Sequence, residues 1–462
     1  MNQDTICALA TANGTGAIGI IRVSGEQSFQ IVNKVFQGKN LENADSHTVH
    51  YGFINDGEEQ IDEVMVAVFH APKTFTTENS VEISFHGSPH IAKKILEVLI
   101  KKGARMAKAG EFTMRAFING RIDLSQAEAI ADVIASENEA SRKVALNQLK
   151  GGISNEISEL RGDLLNFTSL IELELDFAEE DVEFADRTAM NTLLDRLEDK
   201  LTSLIDSFQY GNAIKNGVDV AIIGKPNAGK STLLNALLKE ERAIVSDIAG
   251  TTRDTIEEIL HIKGTAFRFI DTAGIRETTD TIEAIGVQKA KEKIATAKIL
   301  LYLYDEFDSN PEEVISFVKE FYRDDLKIIL LHNKIDIQGL SENEFDNQLS
   351  EALIPEYTTN ILPISAKDQT GIETLKSELI NYVESMKQDE NNVIITNQRH
   401  YESLQKSLDS VQKVKSAINQ SIHTELLAYE LRYALEHLGE ISGEFTNDEV
   451  LGNIFSKFCI GK

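Results

Sequence analysis

Cysteine, proline and basic charge are all scarce in this chain, and each scarcity removes a class of protein. The two cysteines, Cys7 and Cys459, stand near opposite ends of 462 residues, so neither a disulfide framework nor a CxxC metal site is on offer. No apolar run reaches the about 18 residues that a bilayer-spanning helix needs. The opening MNQDTICALA lacks the basic segment and apolar core of a signal peptide, and the expectation is a cytoplasmic protein. Lys and Arg number 46 against 74 Asp and Glu, a formal charge of −28. That balance opposes non-specific attachment to nucleic acid, which depends on cations neutralising phosphates. The imbalance is uneven. Residues 1–120 hold 11 basic and 13 acidic side chains, whereas Glu172 to Asp186 carries eight acids and no base. A nucleic-acid contact therefore requires a local patch or a basic partner. Lys93, Lys94, Lys101, Lys102, Arg105 and Lys108 form one such cluster, for which a solvated helix face is the expected role.

What is present reads as several domains. At 42% hydrophobic and 26% charged the composition is globular, and the length calls for two to four cores. Residues 1–120 mix β-branched runs (Ala17–Val23, Val64–Phe69, Val81–Phe85) with a helical pattern near Ile91–Lys102, which suggests an α+β domain. From Leu124 the texture turns to Ala, Leu, Glu and Gln with apolar residues three and four apart. It stays helical to about Phe208, with none of the chain's 6 prolines to break it. Asp123 or Ser125 can cap the first of these helices. At Val218 apolar runs begin to alternate with helical segments: Val218–Ile223, Ala266–Ile270, Ile299–Tyr304, Lys327–Leu331 and Ile361–Ile364. Such alternation predicts a parallel or mixed sheet flanked by helices. Residues 398–440 return to helix. The expected layout is an N-terminal α+β domain (1–120), a helical domain in two parts (121–215 and 386–462) and an α/β module (216–385) inserted between them.

The inserted module carries the chemistry. Gly224-Lys225-Pro226-Asn227-Ala228-Gly229-Lys230-Ser231 fits GxxxxGKS between a predicted strand and a helix, the setting that makes a phosphate-binding loop. Its backbone N–H groups can converge on phosphates. Lys230 is placed to reach the β- and γ-phosphates, and the Ser231 hydroxyl to ligate Mg²⁺. Asp271-Thr272-Ala273-Gly274 follows the next strand, putting Asp271 near the Mg²⁺ shell (through water) and Gly274 near the γ-phosphate. Asn333-Lys334-Ile335-Asp336 follows another. The Asp336 carboxylate can accept from the guanine N1–H and amino group, which selects guanine over adenine. Ser365-Ala366-Lys367 completes a base pocket. Four such loops in this order point to GTP binding and hydrolysis on a Ras-like P-loop G domain. Between the first two lies Gly250-Thr251-Thr252-Arg253-Asp254, where Thr252, with Thr251 the competitor, is expected to sense the γ-phosphate through Mg²⁺. The position after DTAG, often a water-orienting Gln, is Ile275, so another group must serve. Glu277, Asp280 and Glu283 are the available carboxylates, and chemistry alone does not choose among them.

At these residues, and along its whole length, the chain resembles the bacterial tRNA-modification GTPases of the MnmE (TrmE) family. The likeness includes DTICALATANGTGAIGIIRVSG, GEFTMRAFINGRIDLSQAEAIADVI, the G motifs and the tail EISGEFTNDEVLGNIFSKFCIGK. The resemblance implies Glu283 as the catalytic carboxylate, beside Lys230. It implies a K⁺ ion held by Asn227, Ser246, Ile248 and Thr251, formed when two G domains pair, and nucleotide contacts extending over Thr232, Asp247 and Ala249. It further implies a homodimer and an FAD-containing partner of the MnmG type. With that partner the chain would place an aminomethyl or carboxymethylaminomethyl group on C5 of the wobble uridine of certain tRNAs. The carbon would come from 5-formyl- or 5,10-methylene-tetrahydrofolate, bound at Arg22, Glu82, Arg121 and Lys462. Cys459 carries two readings, a buried small hydrophobe or a thiol that acts on or positions the substrate. The family usually reads HGG where this chain has His86-Gly87-Ser88, and GED where it has Thr77-Glu78-Asn79. The competing reading is a ribosome-assembly or translation-linked GTPase. Such proteins usually bring a basic RNA-binding domain, and the −28 balance speaks against one.

Overall fold

The β-branched runs near the N-terminus alternate sides, and that alternation builds the first sheet. In the computed structural model, β1 (Ile6–Leu9), β2 (Ile18–Ser24), β3 (Phe36–Gln37), β4 (Thr48–Asp56), β5 (Glu59–Phe69), β6 (Ser80–His86) and β7 (Arg105–Met106) form one seven-stranded sheet. Its order is β3-β4-β5-β6-β2-β1-β7. Ile21, Val23, Val64, Val66, Val68, Val81 and Ile83 face one side and are buried in a single core. The helix Pro89–Lys101 contributes Ala92, Ile95, Val98 and Leu99 to that core from positions three and four apart, and it opens on a proline at its first position. Burying each large aliphatic side chain contributes roughly 1.5–3 kcal/mol. The structure describes residues 4–176, 187–238, 257–271, 294–338, 344–353, 357, 359–387, 393–420, 424–445, 448–456, 458 and 461.

The basic cluster is largely neutralised. Lys93 approaches Glu97 at 3.9 Å, Lys94 Glu59 at 3.8 Å and Lys101 Asp56 at 2.7 Å. Arg105 enters a denser network. Its guanidinium meets Asp4 and Glu111 at 2.6 Å each, while Arg115 meets Asp4 at 2.9 Å, Glu78 at 3.1 Å and Glu111 at 3.2 Å. Three carboxylates thus share two guanidiniums, and both Glu111 and Arg115 are buried. Hydrogen bonding from Arg105 holds the Asp4 carboxyl below its usual range. Burial alone would raise Glu111, but Arg105, the Lys108 backbone N–H and Arg115 outweigh it and hold it low.

By contact density the chain divides into two units, one of Met1–Ile134, Leu146–Leu197 and Lys406–Lys462, the other of Ala135–Ala145 and Glu198–Gln405. Within the first, the helix Gly152–Asp176 buries Ile153, Ile157, Leu160, Leu164, Phe167 and Ile171, a three-four spacing that makes one stripe. It packs against the helix Thr424–Ser442, far away in sequence. The helix Asp448–Ser456 brings Phe455, followed by Phe458, onto Leu124 and Ala127. The last described residue, Gly461, has φ +99°, and a Cβ there would stand 2.2 Å from the Leu9 carbonyl oxygen. Only glycine lets the tail lie this close to the end of β1.

The second unit holds a six-stranded sheet of β8 (Val218–Gly224), β9 (Glu257–Ile262), β10 (Thr265–Asp271), β11 (Ile299–Tyr304), β12 (Lys327–His332) and β13 (Thr359–Pro363). The order is β13-β12-β11-β8-β10-β9, parallel throughout except for the antiparallel edge strand β9. Every residue of β11 is buried, as expected of a central parallel strand with helices on both faces. Separate apolar cores lie on the two sides of this sheet. Each expected strand is present, and the α/β fold class expected of this region holds, with β9 added as a further edge.

Candidate guanine-nucleotide site

In an open parallel sheet, ligands gather at the carboxyl ends of the strands. Here β8 ends at Gly224 and runs through a tight loop into the helix Lys230–Leu238. Two residues of that loop have left-handed backbone, Asn227 at φ +63° and Gly229 at φ +100°. At Gly229 a Cβ would fall 2.2 Å from Asn333 Nδ2, so the position needs glycine for space as well as for its dihedral. The Lys230 ammonium donates to the carbonyls of Gly224 at 2.6 Å and Lys225 at 2.9 Å, which keeps it inside the curve of the loop. Ser231 and Thr232 open the helix beside it.

Asn333 joins this loop to the two others. Its side-chain amide donates to the Ala228 carbonyl at 2.7 Å and accepts from the Ala366 N–H at 3.0 Å. Its own N–H is bonded to the Tyr304 carbonyl at 2.9 Å, and the residue is 3% exposed. A buried amide with these bonds made is a rigid connector, because leaving any of them unmade is costly. The loops after β12 and β13 are braced against each other as well. Ser365 Oγ donates to Asp336 Oδ1 at 2.9 Å, and the Asp368 N–H donates to Ser365 Oγ at 3.1 Å. The exposed Lys367 reaches Asp336 only at 3.9 Å, too long and too wet to fix it. Next to them a cavity of about 370 Å³ is lined by Thr232, Asn235, Ala236, Leu238, Ala366, Lys367 and Gln369.

The structure therefore brings Asn227, Ala228, Gly229, Lys230, Ser231 and Thr232 together with Asn333, Lys334, Asp336, Ser365, Ala366 and Lys367. Asp271 ends β10 with its backbone beside Ile222 of β8. Ser246, Asp247, Ile248, Ala249, Gly250, Thr251, Thr252, Thr272, Ala273, Gly274 and Glu283 lie outside the described residues, as do Cys459 and Lys462. One participant was absent from the motif reading. Asp305, directly after β11, is 1% exposed and holds the Lys334 ammonium at 2.7 Å. Burial would raise its carboxyl, but Lys334 and the N–H groups of Asp308 and Phe307 more than offset that and hold it low.

In the seven-stranded sheet, Arg22 and Glu82 are cross-strand partners on β2 and β6. Arg22 donates to Glu82 Oε1 from Nε at 3.0 Å and from Nη2 at 2.8 Å. Arg121 lies 5.0 Å from the Phe75 ring centre and Arg22 5.3 Å, so one aromatic plate serves two guanidiniums. Arg121 also donates to the Phe75 carbonyl at 2.8 Å, beside a cavity of about 540 Å³. Phe75 is the member that sequence motifs did not mark. Ser88 sits at φ −95°, ordinary extended backbone, so serine in place of the usual glycine costs no strain there. Asn79 accepts the Ala71 N–H at 3.0 Å. Cys7 is buried, which pushes its thiol up to about 11 and leaves it unreactive near neutrality.

A phosphate cradle on the central strand, tied by a buried amide to loops that can read a guanine, is the arrangement of P-loop GTP-binding domains, and the second unit falls in that class. Residues 5–121 match the family model described as the GTP-binding protein TrmE N-terminus, and residues 124–459 match that of the MnmE helical domain. The tRNA modification GTPase MnmE of Flavobacterium johnsoniae is 53% identical over 100% of both chains. That of Christiangramia forsetii is 51% identical over 100% of this chain and 99% of its own, and that of Bacteroides thetaiotaomicron is 49% identical over 100% of both. The chain belongs to the MnmE family, and it is a GTPase. Among the described residues, no helix is long and apolar enough to cross a membrane.

Proposed function

We propose that this GTPase acts in tRNA modification. In this reading it works with an FAD-containing MnmG-type partner in the cytoplasm and adds an aminomethyl or carboxymethylaminomethyl group to C5 of the wobble uridine. The observation that carries the reading is the likeness to proteins named tRNA modification GTPases over the full length of both chains. Residues 1–120 would bind folate and dimerise, 216–385 would be the G domain, and 121–215 with 386–462 would form the helical domain that joins them.

The described side chains suit the groups they would hold. Lys230 would neutralise the β- and γ-phosphates, and Ser231, Thr252 and, through water, Asp271 would hold Mg²⁺, which supplies charge neutralisation at the transferring phosphoryl group. Asp336 would read the guanine. Glu283 would orient water for attack on the γ-phosphorus as the bond to the β-phosphate oxygen breaks and GDP leaves with the electron pair. Asn227, in its left-handed conformation at the mouth of the loop, fits a ligand of K⁺ together with Ser246, Ile248 and Thr251. The expected result is hydrolysis roughly tenfold or more faster in KCl than in NaCl at matched ionic strength, a fraction of what an arginine finger contributes. Equal rates in the two salts would remove K⁺ from the mechanism and leave the GTPase standing.

For the one-carbon donor, the Glu82 carboxylate, held in place by Arg22, can accept from a pterin's amidine edge, and Arg121 and Lys462 suit the glutamate carboxylates. Tetrahydrofolate would supply the carbon unit, while these residues bind and orient it. The homodimer reading gains support from the open face of the same sheet. Ile18, Val49, Tyr51 and Met65 are 66%, 57%, 56% and 46% exposed, and Tyr51 lies directly opposite Met65. They share the face of Arg22 and Glu82, away from the helix-covered core, and a second copy is the cover this family would provide. The test of the function is the nucleoside content of tRNA from cells that lack the chain, where the C5 substituent on the wobble uridine should disappear.

A further inference from the structure

A carboxylate buried at the end of a fully buried strand must have a partner, and Asp305 has three. Its Oδ1 accepts the N–H groups of Phe307 at 3.0 Å and Asp308 at 3.1 Å, while its Oδ2 meets the Lys334 ammonium at 2.7 Å. The turn so closed presents the Asp308 carbonyl to Lys225 Nζ at 2.7 Å, and Lys225 also pairs with Glu313. A single short loop is thus tied at one end to the guanine-reading motif and at the other to the phosphate loop. Lys334 itself has φ +68°, a conformation that side chains rarely adopt and that neighbouring contacts must hold. Asn333 fixes the backbone on one side of it, and the ion pair fixes its side chain.

We propose that Asp305 is a positioning residue for guanine-nucleotide binding, locking Lys334 and, through the 305–308 turn, setting the base-reading loop against the phosphate loop. This rests on the guanine-site reading above and extends it to a residue outside the nucleotide motifs. Asparagine at this position separates the two roles. Its side-chain oxygen can still accept both backbone N–H groups, but it loses the charge and turns an NH₂ toward the ammonium. Alanine loses the turn as well.

The experiment is calorimetric titration of the full chain and of its Asp305→Asn and Asp305→Ala variants with GDP and Mg²⁺, with kcat and KM for GTP measured alongside and folding checked by circular dichroism. For Asp305→Asn the expected result is a melting curve like the parent's and a Kd for GDP raised roughly 10- to 100-fold, the range seen when a supporting partner of a binding group is lost. The same variant should show KM for GTP rising and kcat nearly unchanged, a split that general destabilisation would not give. Adding Lys334→Met to Asp305→Asn should weaken binding little further, because both changes break one interaction. An Asp305→Asn chain that binds GDP as tightly as the parent overturns the inference, whatever Asp305→Ala does. A parent chain that fails to bind GDP overturns the guanine-site reading and the inference with it.

Discussion

Asp336→Asn should turn this GTP-hydrolysing chain into one that prefers XTP. Guanine offers two donors, N1–H and the 2-amino group, and a carboxylate accepts both. An asparagine side chain can accept one and must set its own NH₂ against the other. Xanthine carries a carbonyl at C2, which that NH₂ can satisfy. A pocket built to hydrogen-bond a particular group discriminates strongly, since the mismatch leaves buried polar atoms unpaired. The loss in kcat/KM for GTP is expected to reach about a hundredfold or more, with XTP taking over. The bond from Ser365 Oγ to Asp336 Oδ1, at 2.9 Å, supports so large an effect because it holds the reader still before the base arrives. Phosphate release from GTP and from XTP, measured side by side for the parent and the variant, gives the readout. A variant that still prefers GTP would mean that the base is read elsewhere.

The second large effect belongs to the seven-stranded domain. Arg115→Met removes one of two cations shared by Asp4, Glu78 and Glu111, and it leaves the buried Glu111 with Arg105 and the Lys108 N–H. Breaking a buried pair by deleting one partner costs roughly 3–5 kcal/mol, because the remaining charge stays desolvated. The exposed pair Lys93–Glu97 sets the scale from below, since such pairs contribute about 1 kcal/mol or less. Urea unfolding of the full chain followed by circular dichroism should show the first transition moving well to lower urea in Arg115→Met and hardly moving in Lys93→Met. Equal shifts would mean that the network is not a stabilising feature. Acid should act on the same groups. The carboxyls of Asp4 and Glu111 are lowered by folding, so the stability they contribute is complete above their ordinary values of 3.8 and 4.5. It is lost as pH falls through the lowered, folded-state values. Arg115→Met, with less of this linkage, should show a shallower loss of stability in acid than the parent.

Most of the α/β unit was legible in the sequence because its signals are local. Parallel strands buried on both faces read as unbroken apolar runs, and glycine-rich loops follow them at fixed spacing. The strands that escaped notice are those whose surroundings blur the period. In β4, Val49 and Tyr51 face outward while Gly52 and Ile54 are buried, so apolar residues occupy both faces and the alternation disappears. The edge strand β9, EEILHI, is short and opens on two acids. Asp305 shows a different limit. The run ILLYLY ending in an acid was visible, but its partner lies 29 residues further on and only the folded sheet brings Lys334 to it. Phe75 was hidden for the same reason, being one aromatic among 31 until two arginines converge on its ring. The N-terminal cation–carboxylate set of Arg22 and Glu82 came from resemblance, and the β2–β6 register supplies its physical basis.

The measurement that bears most directly on the whole account is nucleoside mass spectrometry of tRNA from cells lacking the chain, restored with either the parent or Lys230→Ala. A C5-substituted wobble uridine should vanish in the deletion, return with the parent and fail to return with Lys230→Ala, which removes the ammonium proposed to meet the phosphates. An unchanged profile in the deletion would contradict the tRNA assignment. Full recovery with Lys230→Ala would contradict the link between GTP hydrolysis and the modification.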